Sequence, residues 1–404
     1  MRFVADIHLH SRFSRATSRD LNPQALYQWA NLKGLTVVGT GDVTHPVWLQ
    51  ELKDTLEPAE QGLYQLREAP RAEVEPEIPA SCRRDVRFML TVEISTIYKK
   101  RDRTRKVHHV VCLPDFDAVD RLNARLGAVG NLASDGRPIL GLDSRDLLEI
   151  CLEASEDVLF VPAHIWTPHF AVLGASSGFD SLEACYDDLL PHIFAIETGL
   201  SSDPLMNCKL SALDRYAIIS NSDAHSASKL GREATCYDTD LSYRGIYEAL
   251  QENDRDRFTG TIEFYPEEGK YHFDGHRKCG ISWEPRQTLA ADGMCPACGK
   301  QLTVGVLHRV EQLADRSEEA AAARSRPFDY LIPLEEVIAA AVGVGAKSKK
   351  VQAIYMDLLS QLGSEFDILR QVDVARIEEA GQSLVAEGVR RMRTGEVHID
   401  PGHD

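Results

Sequence analysis

Acidic and imidazole side chains recur at the ends of short apolar runs in this sequence. The run that ends at Ile219 is followed by SNSDAHS, in which Asp223 and His225 stand two positions apart. Successive residues of an extended chain point to opposite faces, so positions i and i+2 share a face and these two side chains are expected to converge. One such pair is typical of an ordinary surface or capping position. Its meaning depends on whether other runs end in the same way.

Seven candidate strands end in polar residues of this kind. They are RFVADIHLH, LTVVGTGD, RFMLTVEIS, KVHHVVCLP, VLFVPAHIW, IFAIETG and YAIISNSDAH, and amphipathic segments such as NPQALYQWANLKG, DAVDRLNARLG, SRDLLEICLEA and SLEACYDDLL lie between them. This alternation predicts a closed parallel βα barrel, whose active site forms at the carboxyl ends of the strands. The residues at those ends are Asp6, His8, His10, Asp42, His45, Glu93, His108, His109, His164, Glu197, Asp223 and His225.

Taken singly, each of these residues is more typical of a capping or core position. Burying all of them in one barrel mouth would cost several kcal/mol for each unpaired charge unless cations compensate. Mixed imidazole and carboxylate ligands suit Zn, Mn or Fe. Two or three such ions close together would activate water and steady the oxygens of a phosphoryl displacement.

The order HLH, GDVTHP, VEIS, a histidine on the next strand, PAH and SDAH resembles the polymerase and histidinol phosphatase (PHP) superfamily over residues 1–250. The resemblance implies a distorted (β/α)7 barrel that holds two or three divalent metals (Zn, Mn, Fe or Mg) and hydrolyses phosphoesters. The implied metal-site residues are His8, His10, Asp42, His45, Glu93, His108, His164, Asp223 and His225.

Within that set the expected catalytic residues are His8, His10, Glu93 and Asp223, with Asp223 as the indispensable carboxylate. Asp42 is either a ligand or a group that orients one. His108 is preferred to its neighbour His109, which would face the other way. After HLH only Asp20 could supply a further ligand, so the number of metals, two or three, stays open.

A second predicted module covers residues 251–305. His276, Cys279, Cys295 and Cys298 form H-x2-C followed by C-x2-C, the spacing of a tetrahedral structural zinc site. His272 is an alternative fourth ligand. A site closed by four protein ligands predicts a role in folding or docking.

Residues 306–404 are predicted to form a helical domain, with helices at 333–341, 349–361 and 374–393. Between the first two stands VGVGAKSKK, which has the shape of a helix-hairpin-helix turn whose amides could hold a DNA phosphate. A plain helix end with solvated lysines is the alternative. The lysines concerned are Lys347, Lys349 and Lys350.

The net charge of −17 argues against nucleic-acid binding unless basic residues are concentrated at one surface. The run YKKRDRTRK lies between the Glu93 and His108 strands and is therefore expected beside the metal site. We predict DNA contacts from this DNA-binding set: Lys99, Lys100, Arg101, Arg103 and Arg105 here, together with the three lysines above. A further cluster, VRRMR, closes the last predicted helix.

Nine cysteines, six of them scattered, are typical of a reducing compartment. No stretch approaches the ~18 consecutive apolar residues of a membrane span, and MRFVADIHLH lacks the order of a signal peptide. The expected location is cytoplasmic, with no membrane partner.

The whole chain also resembles the endonuclease Q family in SRFSRATSRDLNP, GTGDVTHP, ETGLSSDP, KYHFDGHRKCG and MRTGEVHIDPGHD. That family nicks DNA on the 5′ side of deaminated bases (uracil, hypoxanthine and xanthine) and at abasic sites. The resemblance implies a metal-dependent DNA repair endonuclease whose partner is double-stranded DNA carrying damaged bases. Replication or repair proteins as further partners stay open.

Two other functions would fit parts of the pattern. A small-molecule phosphatase of the histidinol phosphate class would use the same metal residues but has no need of a zinc module or basic run. A noncatalytic DNA-binding or scaffold protein could keep the fold with a decayed centre. The near-complete set of metal residues argues against the second alternative.

Overall fold

Fifteen strands and fifteen helices make up a mixed α/β fold in the computed structural model, which describes residues 1–399 and 402. The strands are β1 Arg2–Asp6, β2 Val37–Gly39, β3 Leu56–Pro58, β4 Tyr64–Leu66, β5 Arg87–Lys100, β6 Arg103–Leu113, β7 Ile139–Leu140, β8 Leu159–Pro162, β9 Ala195–Glu197, β10 Ala217–Ile219, β11 Ala234–Asp238, β12 Phe258–Glu263, β13 Asp274–His276, β14 Ile281–Trp283 and β15 Phe328–Tyr330. Each of the seven candidate strands overlaps one of them, because apolar periodicity is a local signal.

The helices alternate with the strands in the first half of the chain and dominate its end. They are α1 Pro23–Lys33, α2 Pro46–Thr55, α3 Glu68–Val74, α4 Phe116–Leu126, α5 Ser144–Ala154, α6 Glu183–Tyr186, α7 Pro204–Cys208, α8 Tyr243–Gln251, α9 Pro285–Ala290, α10 Val306–Leu313, α11 Glu318–Ala322, α12 Leu334–Val342, α13 Lys349–Leu362, α14 Val374–Glu379 and α15 Ser383–Thr394. None of the described helices is long and apolar enough to span a bilayer.

Local chemistry explains where several helices begin and end. The Asn22 side chain accepts a hydrogen bond from Ala25 N at 2.8 Å, Pro23 opens α1, and Gly34 ends it at φ 99°. Two predicted helices differ from expectation. SLEACYDDLL forms only the single turn of α6 before a 3-10 segment that contains Pro191. The predicted helix 374–393 is broken near Gly381 (φ 79°) into α14 and α15.

The main sheet has eleven strands in the order β15-β12-β11-β1-β2-β5-β4-β3, with β6 and β7 beside β5, and β8 beside β6. β1, β2 and β5 run parallel, whereas β6 runs antiparallel to both β5 and β8. The prediction of an all-parallel barrel is therefore wrong at β6. The reason is a two-residue turn at Arg101 and Asp102 (φ 52° and 60°), a geometry that closes an antiparallel hairpin.

Hydrogen bonds connect the strand ends that carry the polar residues. His10 N donates to Ala224 O at 3.1 Å, Thr198 N to Ile219 O at 3.0 Å and Ile165 N to Glu197 O at 3.1 Å. Leu9 and Ala224 also form a parallel bridge. The segments after β1, β8, β9 and β10 consequently lie side by side.

The sheet does not stop at residue 250, the predicted end of the first domain. β12, in the predicted second domain, pairs with β11 of the first domain, and β15, in the predicted third domain, pairs with β12. The three-domain division stays a prediction. Four of its positions, 400, 401, 403 and 404 at the end of MRTGEVHIDPGHD, lie outside the described residues.

Candidate functional site

Four residues from three distant parts of the chain form one group. His8 and His10 follow β1, Glu93 lies inside β5 and Asp223 follows β10, and one ligand-type atom from each lies within 4.8 Å of the others. His10 Nε2 is 3.0 Å from Asp223 Oδ1 and 3.3 Å from Glu93 Oε2. His8 Nε2 is 3.7 Å from both of those carboxylates. The four expected catalytic residues thus meet at one point.

Glu93 also belongs to a second group, with His108 and His164. Its Oε1 lies 2.6 Å from His108 Nδ1 and 3.2 Å from His164 Nε2. Glu93 therefore presents one oxygen to each group, the arrangement of a bridging carboxylate. Burial lowers the pKa of His108 to about 4, which keeps the ring in the neutral form that binds metals.

The choice of His108 over His109 agrees with this geometry. His109 points to the other side of β6, where its ring nitrogens lie 3.1 Å from Tyr186 OH and 3.2 Å from Ser144 Oγ. Adjacent residues of a strand face opposite ways, and only His108 faces Glu93.

Asp42 lies behind the first group. Its Oδ2 accepts hydrogen bonds from Ser11 N, Ser11 Oγ and Ser14 Oγ, and its Oδ1 is 3.3 Å from His10 Nδ1. With its oxygens so engaged, Asp42 is placed to orient His10, the second of its two expected roles, and that role stays a prediction.

His45 and His225 also lie outside the two groups. His45 is the N-cap of α2, stacked on Phe13 with ring centroids 4.4 Å apart. His225 is partly exposed at the rim, with its ring 4.5 Å from that of His10. His225 Nδ1 nevertheless lies 3.6 Å from Asp223 Oδ1, and the metal roles expected for His45 and His225 stay predictions. The strand-end pattern marks residues near the centre and cannot separate those that line it from those that flank it.

Glu197 is a site residue to which the sequence pattern gave no role. Its carboxylate lies 2.9 Å and 3.0 Å from His8 Nδ1, and it accepts hydrogen bonds from Asn221 Nδ2 and His164 N, both at 2.9 Å. Burial by itself lowers the pKa of His8, but the carboxylates of Glu197 and Glu93 raise it well above its usual value. The sequence shows Glu197 at the end of a strand, but it does not show that His8, His164 and Asn221 are its partners.

Arg137 is the second residue that sequence reasoning missed, because nothing marks its loop. It donates from Nη1 to Glu93 Oε2 at 3.0 Å and remains partly exposed. Burial alone raises the pKa of Glu93, whereas the charges of His108 and Arg137 hold it well below its usual value. Arg137 thus places a positive charge at the entrance of the site.

Three of the ten non-glycine residues with positive φ in the described part of the chain lie at this centre. Asp42, His164 and Asp223 have φ values of 53°, 29° and 47°, which are unfavourable for residues with a side chain. Such conformations cost about 1–3 kcal/mol each and persist where the surrounding structure requires them, often at functional sites. At Gly136 a Cβ would collide with the Asp42 carboxylate, so glycine is required where the Arg137 loop passes the site.

The two groups fit divalent metals. His8 Nε2 is buried and has no hydrogen-bond partner among the described residues, although it faces two carboxylates. Asp223 keeps 28% of its side chain exposed, while His8, His10 and Glu93 are buried. Imidazole and carboxylate donors open on one side are typical of catalytic transition-metal sites.

We expect Glu197→Gln to lower activity by about 10- to 100-fold, the usual effect of removing a carboxylate that orients a metal-binding histidine. The amide cannot hold His8 Nδ1 as a carboxylate does, so the ring would lose its fixed tautomer and orientation. Rates of phosphoester hydrolysis together with metal content per chain would measure the effect. Glu149→Gln, on the exposed face of α5, is the control. Equal rates for Glu197→Gln and the wild-type protein would contradict the role.

The cysteine–histidine module forms a separate group of potential metal ligands. His276, Cys279, Cys295 and Cys298 meet within 4.8 Å, and Cys298 Sγ is 3.3 Å from His276 Nδ1. Gly280 and Gly299 follow the second residue of each pair with φ 64° and 67°, which turns the chain back around the group. The alternative ligand, His272, is buried outside it. Three thiolates and one imidazole without an open position fit a structural zinc ion.

We expect Cys295→Ser to lower the bound zinc by one equivalent and to remove amide-exchange protection from residues 274–303. Structural zinc supplies about 10–16 kcal/mol of apparent folding free energy in isolated zinc fingers, so this small module should not fold without it. Elemental analysis and hydrogen exchange would test this. Cys236→Ser, in β11 and outside the group, should change neither quantity. Protection retained at 274–303 would contradict the prediction.

Some of the predicted DNA-binding side chains have partners within the protein, and the others are exposed to solvent. Lys100 pairs with Asp187 at 2.7 Å and with Asp143 at 3.3 Å, and Arg105 is buried over the ring of Phe179. These two are therefore structural, a correction that follows from acidic and aromatic partners far away in the chain. The exposed members are Lys99, Arg101 and Arg103 on the β5–β6 hairpin and Lys347, Lys349 and Lys350 before and within the first turn of α13.

Of the VRRMR cluster, Arg390 and Arg391 pair with Glu387, and Arg393 donates to the backbone carbonyls of Ile368, Leu369 and Val372. These arginines are thus engaged within the protein.

One family model and two known proteins match parts of this chain. Residues 333–396 match the family described as MJ0043 C-terminal domain. The chain is 31% identical to uncharacterized protein MJ0043 of Methanocaldococcus jannaschii over 232 residues, and 31% identical to uncharacterized protein YqxK of Bacillus subtilis over 248 residues. These stretches cover 55% and 60% of this chain but 28% and 58% of the two relatives, so the chain spans less than two thirds of either.

Two solved structures are similar over the whole chain. The lesion-specific endonuclease PfuEndoQ of Pyrococcus furiosus has a TM-score of 0.84 and 30% identity, covering 100% of this chain and 93% of that one. An endonuclease Q in complex with a 27-mer duplex substrate carrying an abasic lesion at the active site has a TM-score of 0.84 and 28% identity, covering 100% and 94%. The resemblance of the motifs to endonuclease Q is confirmed, and this chain belongs to the endonuclease Q family.

Proposed function

We propose that this protein is a DNA repair endonuclease that hydrolyses the phosphodiester on the 5′ side of deaminated bases (uracil, hypoxanthine and xanthine) and at abasic sites. The observation that carries the proposal is the meeting of His8, His10, Glu93 and Asp223 at one partly open point of a fold shared with a lesion-specific endonuclease. Such a centre suits phosphoester hydrolysis, and the fold suits a duplex DNA substrate.

We infer that the strands around this centre form a distorted (β/α)7 barrel made of β1, β2, β5, β6, β8, β9 and β10. Ladders join β1 to β2, β2 to β5, β5 to β6, β6 to β8 and β9 to β10. The bond from Ile165 N to Glu197 O and the Leu9–Ala224 bridge support closure at the two remaining junctions. A barrel would explain why polar ends from so many strands meet.

One metal would be held by His8, His10, Glu93 and Asp223, and a second by Glu93, His108 and His164. Metals bound there would supply Lewis-acid activation of water and charge stabilisation at the phosphoryl group. The protein residues around them fix the ligands: Glu197 orients His8, and Asp42 orients His10. Arg137 at the entrance attracts the DNA phosphate and remains beside it as negative charge develops.

Two basic surfaces are suited to holding the duplex. Arg103, next to the tip of the β5–β6 hairpin, lies five residues from His108 along β6, or roughly 17 Å at about 3.3 Å per residue, so Lys99, Arg101 and Arg103 can reach phosphates flanking the nick. Lys347, Lys349 and Lys350 surround the first turn of α13, where free amides and positive charge favour a phosphate. The cysteine–histidine module and the helical end of the chain would then clamp the duplex.

Recognition of a damaged base requires that the base leave the stack, and this costs less when it is mispaired. Trp48 and Trp166 are not available for stacking, because both are buried and donate from Nε1 to Gly41 O and Asn207 Oδ1. Tyr186 is buried as well, whereas His169 is exposed. His169, on the loop after the second metal group, is the better candidate for stacking.

End-labelled duplexes carrying uracil, hypoxanthine, an abasic site or no lesion, incubated with the protein and several divalent ions, would test the proposal. We expect a nick 5′ to each lesion and none in the undamaged duplex. Turnover of histidinol phosphate or p-nitrophenyl phosphate without any nicking would instead support the small-molecule phosphatase. DNA binding without either activity would support a noncatalytic protein.

A further inference from the structure

A cavity of about 210 Å³ lies away from the candidate metal centre, toward the other end of the strands. Its wall includes Tyr216, which precedes β10, whereas Asp223 follows that strand. Asn253 and Arg255, in the loop between α8 and β12, form another part of the wall. The cavity is therefore separate from the site described above.

Three arginines converge on this cavity: Arg255, Arg324 and Arg326. None of them forms an ion pair with a carboxylate of the described part of the chain, in a protein whose net charge is −17. Asp214, the single acidic residue of the wall among the described residues, already pairs with Arg316 outside the cavity. The walls consequently carry an excess of positive charge.

Arg326 is a fixed part of the wall. Its guanidinium donates to Phe258 O at 2.8 Å and to Asn253 O at 2.5 Å, and it stacks over the Phe258 ring at 4.4 Å. Burial and the nearby charge of Arg255 lower the pKa of Arg326 to about 10. Burial and a like charge destabilise the protonated form of Arg326, and an anion bound beside it would stabilise that form.

The other two arginines have donors available. Arg255 donates one bond, from Nη2 to the backbone oxygen of Arg324 at 2.7 Å. The guanidinium of Arg324 has no hydrogen-bond partner within the described residues, and both side chains are exposed to the cavity mouth. Planar guanidinium groups with free donors match the paired oxygens of a phosphate.

The volume limits the ligand. Pockets for drug-sized molecules are about 300–1,000 Å³, so a cavity of about 210 Å³ accommodates a phosphate group with little else. We propose that this cavity is a second, noncatalytic site that binds the phosphate group of inorganic phosphate or of a small phosphate monoester. Arg255 and Arg324 contact the phosphate oxygens, and Arg326 supplies fixed positive charge.

Isothermal titration of the metal-loaded protein would test this site. The probes are inorganic phosphate, deoxyuridine 5′-monophosphate and phosphate-free deoxyuridine, at ionic strength matched with chloride. Phosphate can also bind at the metal centre, so the comparison is between the wild-type protein and the Arg255→Ala/Arg324→Ala variant. The control, Arg125→Ala/Arg244→Ala, removes the same charge from exposed positions outside the cavity.

We expect the cavity variant to lose one class of phosphate sites, or to bind there at least about 10-fold more weakly, because the charged hydrogen bonds from two guanidinium groups to the phosphate are lost. The control should match the wild-type protein. Tighter binding of the nucleotide than of inorganic phosphate would identify a monoester as the ligand, and equal binding would identify phosphate. Unchanged isotherms in the cavity variant, or binding of deoxyuridine at the same site, would overturn the proposal. Nicking assays without phosphate keep this outcome distinct from that of the proposed function.

Discussion

Asp223→Ala should reduce nicking of uracil-containing duplex by on the order of 1,000-fold or more while leaving DNA binding measurable. The Asp223 carboxylate lies 3.0 Å from His10 Nε2 and 3.7 Å from His8 Nε2, so its loss opens the first metal group. It is also the most exposed of the four residues and therefore the nearest to an incoming phosphate. Single-turnover nicking, fluorescence anisotropy with labelled duplex and metal content would separate chemistry from binding.

The design includes a structural control and a surface control. Asp223→Asn keeps the shape of the side chain and should share most of the loss, because the missing negative charge is the cause. Asp54→Ala, an exposed position on α2, should behave like the wild-type protein. Nicking by Asp223→Ala at more than about a tenth of the wild-type rate would refute the role given to this carboxylate.

Lys33→Met should lower the free energy of unfolding by about 3–5 kcal/mol, the range for removing one partner of a buried ion pair. Lys33 Nζ lies 2.7 Å from Glu365 Oε2, and both side chains are almost fully buried. The same carboxylate accepts hydrogen bonds from Tyr355 OH at 2.8 Å and from Leu334 N at 3.1 Å. The pair thus joins the end of α1 to the C-terminal helices, and methionine would leave a buried carboxylate without its cation.

Chemical denaturation followed by tryptophan fluorescence would measure the loss. The double variant Lys33→Met/Glu365→Gln should recover at least half of it, because glutamine is neutral and can still accept from Leu334 N and Tyr355 OH. Lys53→Met, whose partner Asp120 is largely exposed, should cost no more than about 1 kcal/mol. A double variant less stable than Lys33→Met would show that the buried charge is not the cause.

Several features of the candidate site were predictable because they are local. Apolar periodicity located the seven strands, and the histidines and acids at their ends follow directly in the chain. The alternation of a strand predicted that only one of His108 and His109 faces the site, and the family resemblance supplied the choice of His108. The H-x2-C and C-x2-C pairs were visible for the same reason, since a turn of two residues brings both donors of each pair to one side.

Other features of the fold and of the candidate site depend on contacts between residues that are far apart in the sequence. The predicted direction of β6 was wrong. The prediction assumed a βα unit after each strand, whereas Arg101 and Asp102 close a hairpin between β5 and β6. Lys100 and Arg105 were expected to contact DNA, yet residues 43 to 87 positions away in the chain engage them. Arg137, beside Glu93, stands in a loop without any pattern.

The sequence by itself determined which residue types stand at the strand ends, the spacing of the cysteine–histidine module and the family to which the chain belongs. Only the tertiary structure decided which ends meet: His10 contacts Asp223 across 213 positions of the chain, and His8 contacts Glu197 across 189. The physical reason is that periodicity and turn chemistry act over a few residues. Ligand sets, orienting carboxylates and ion pairs depend instead on which distant segments pack together, and chain spacing carries no information about those distances.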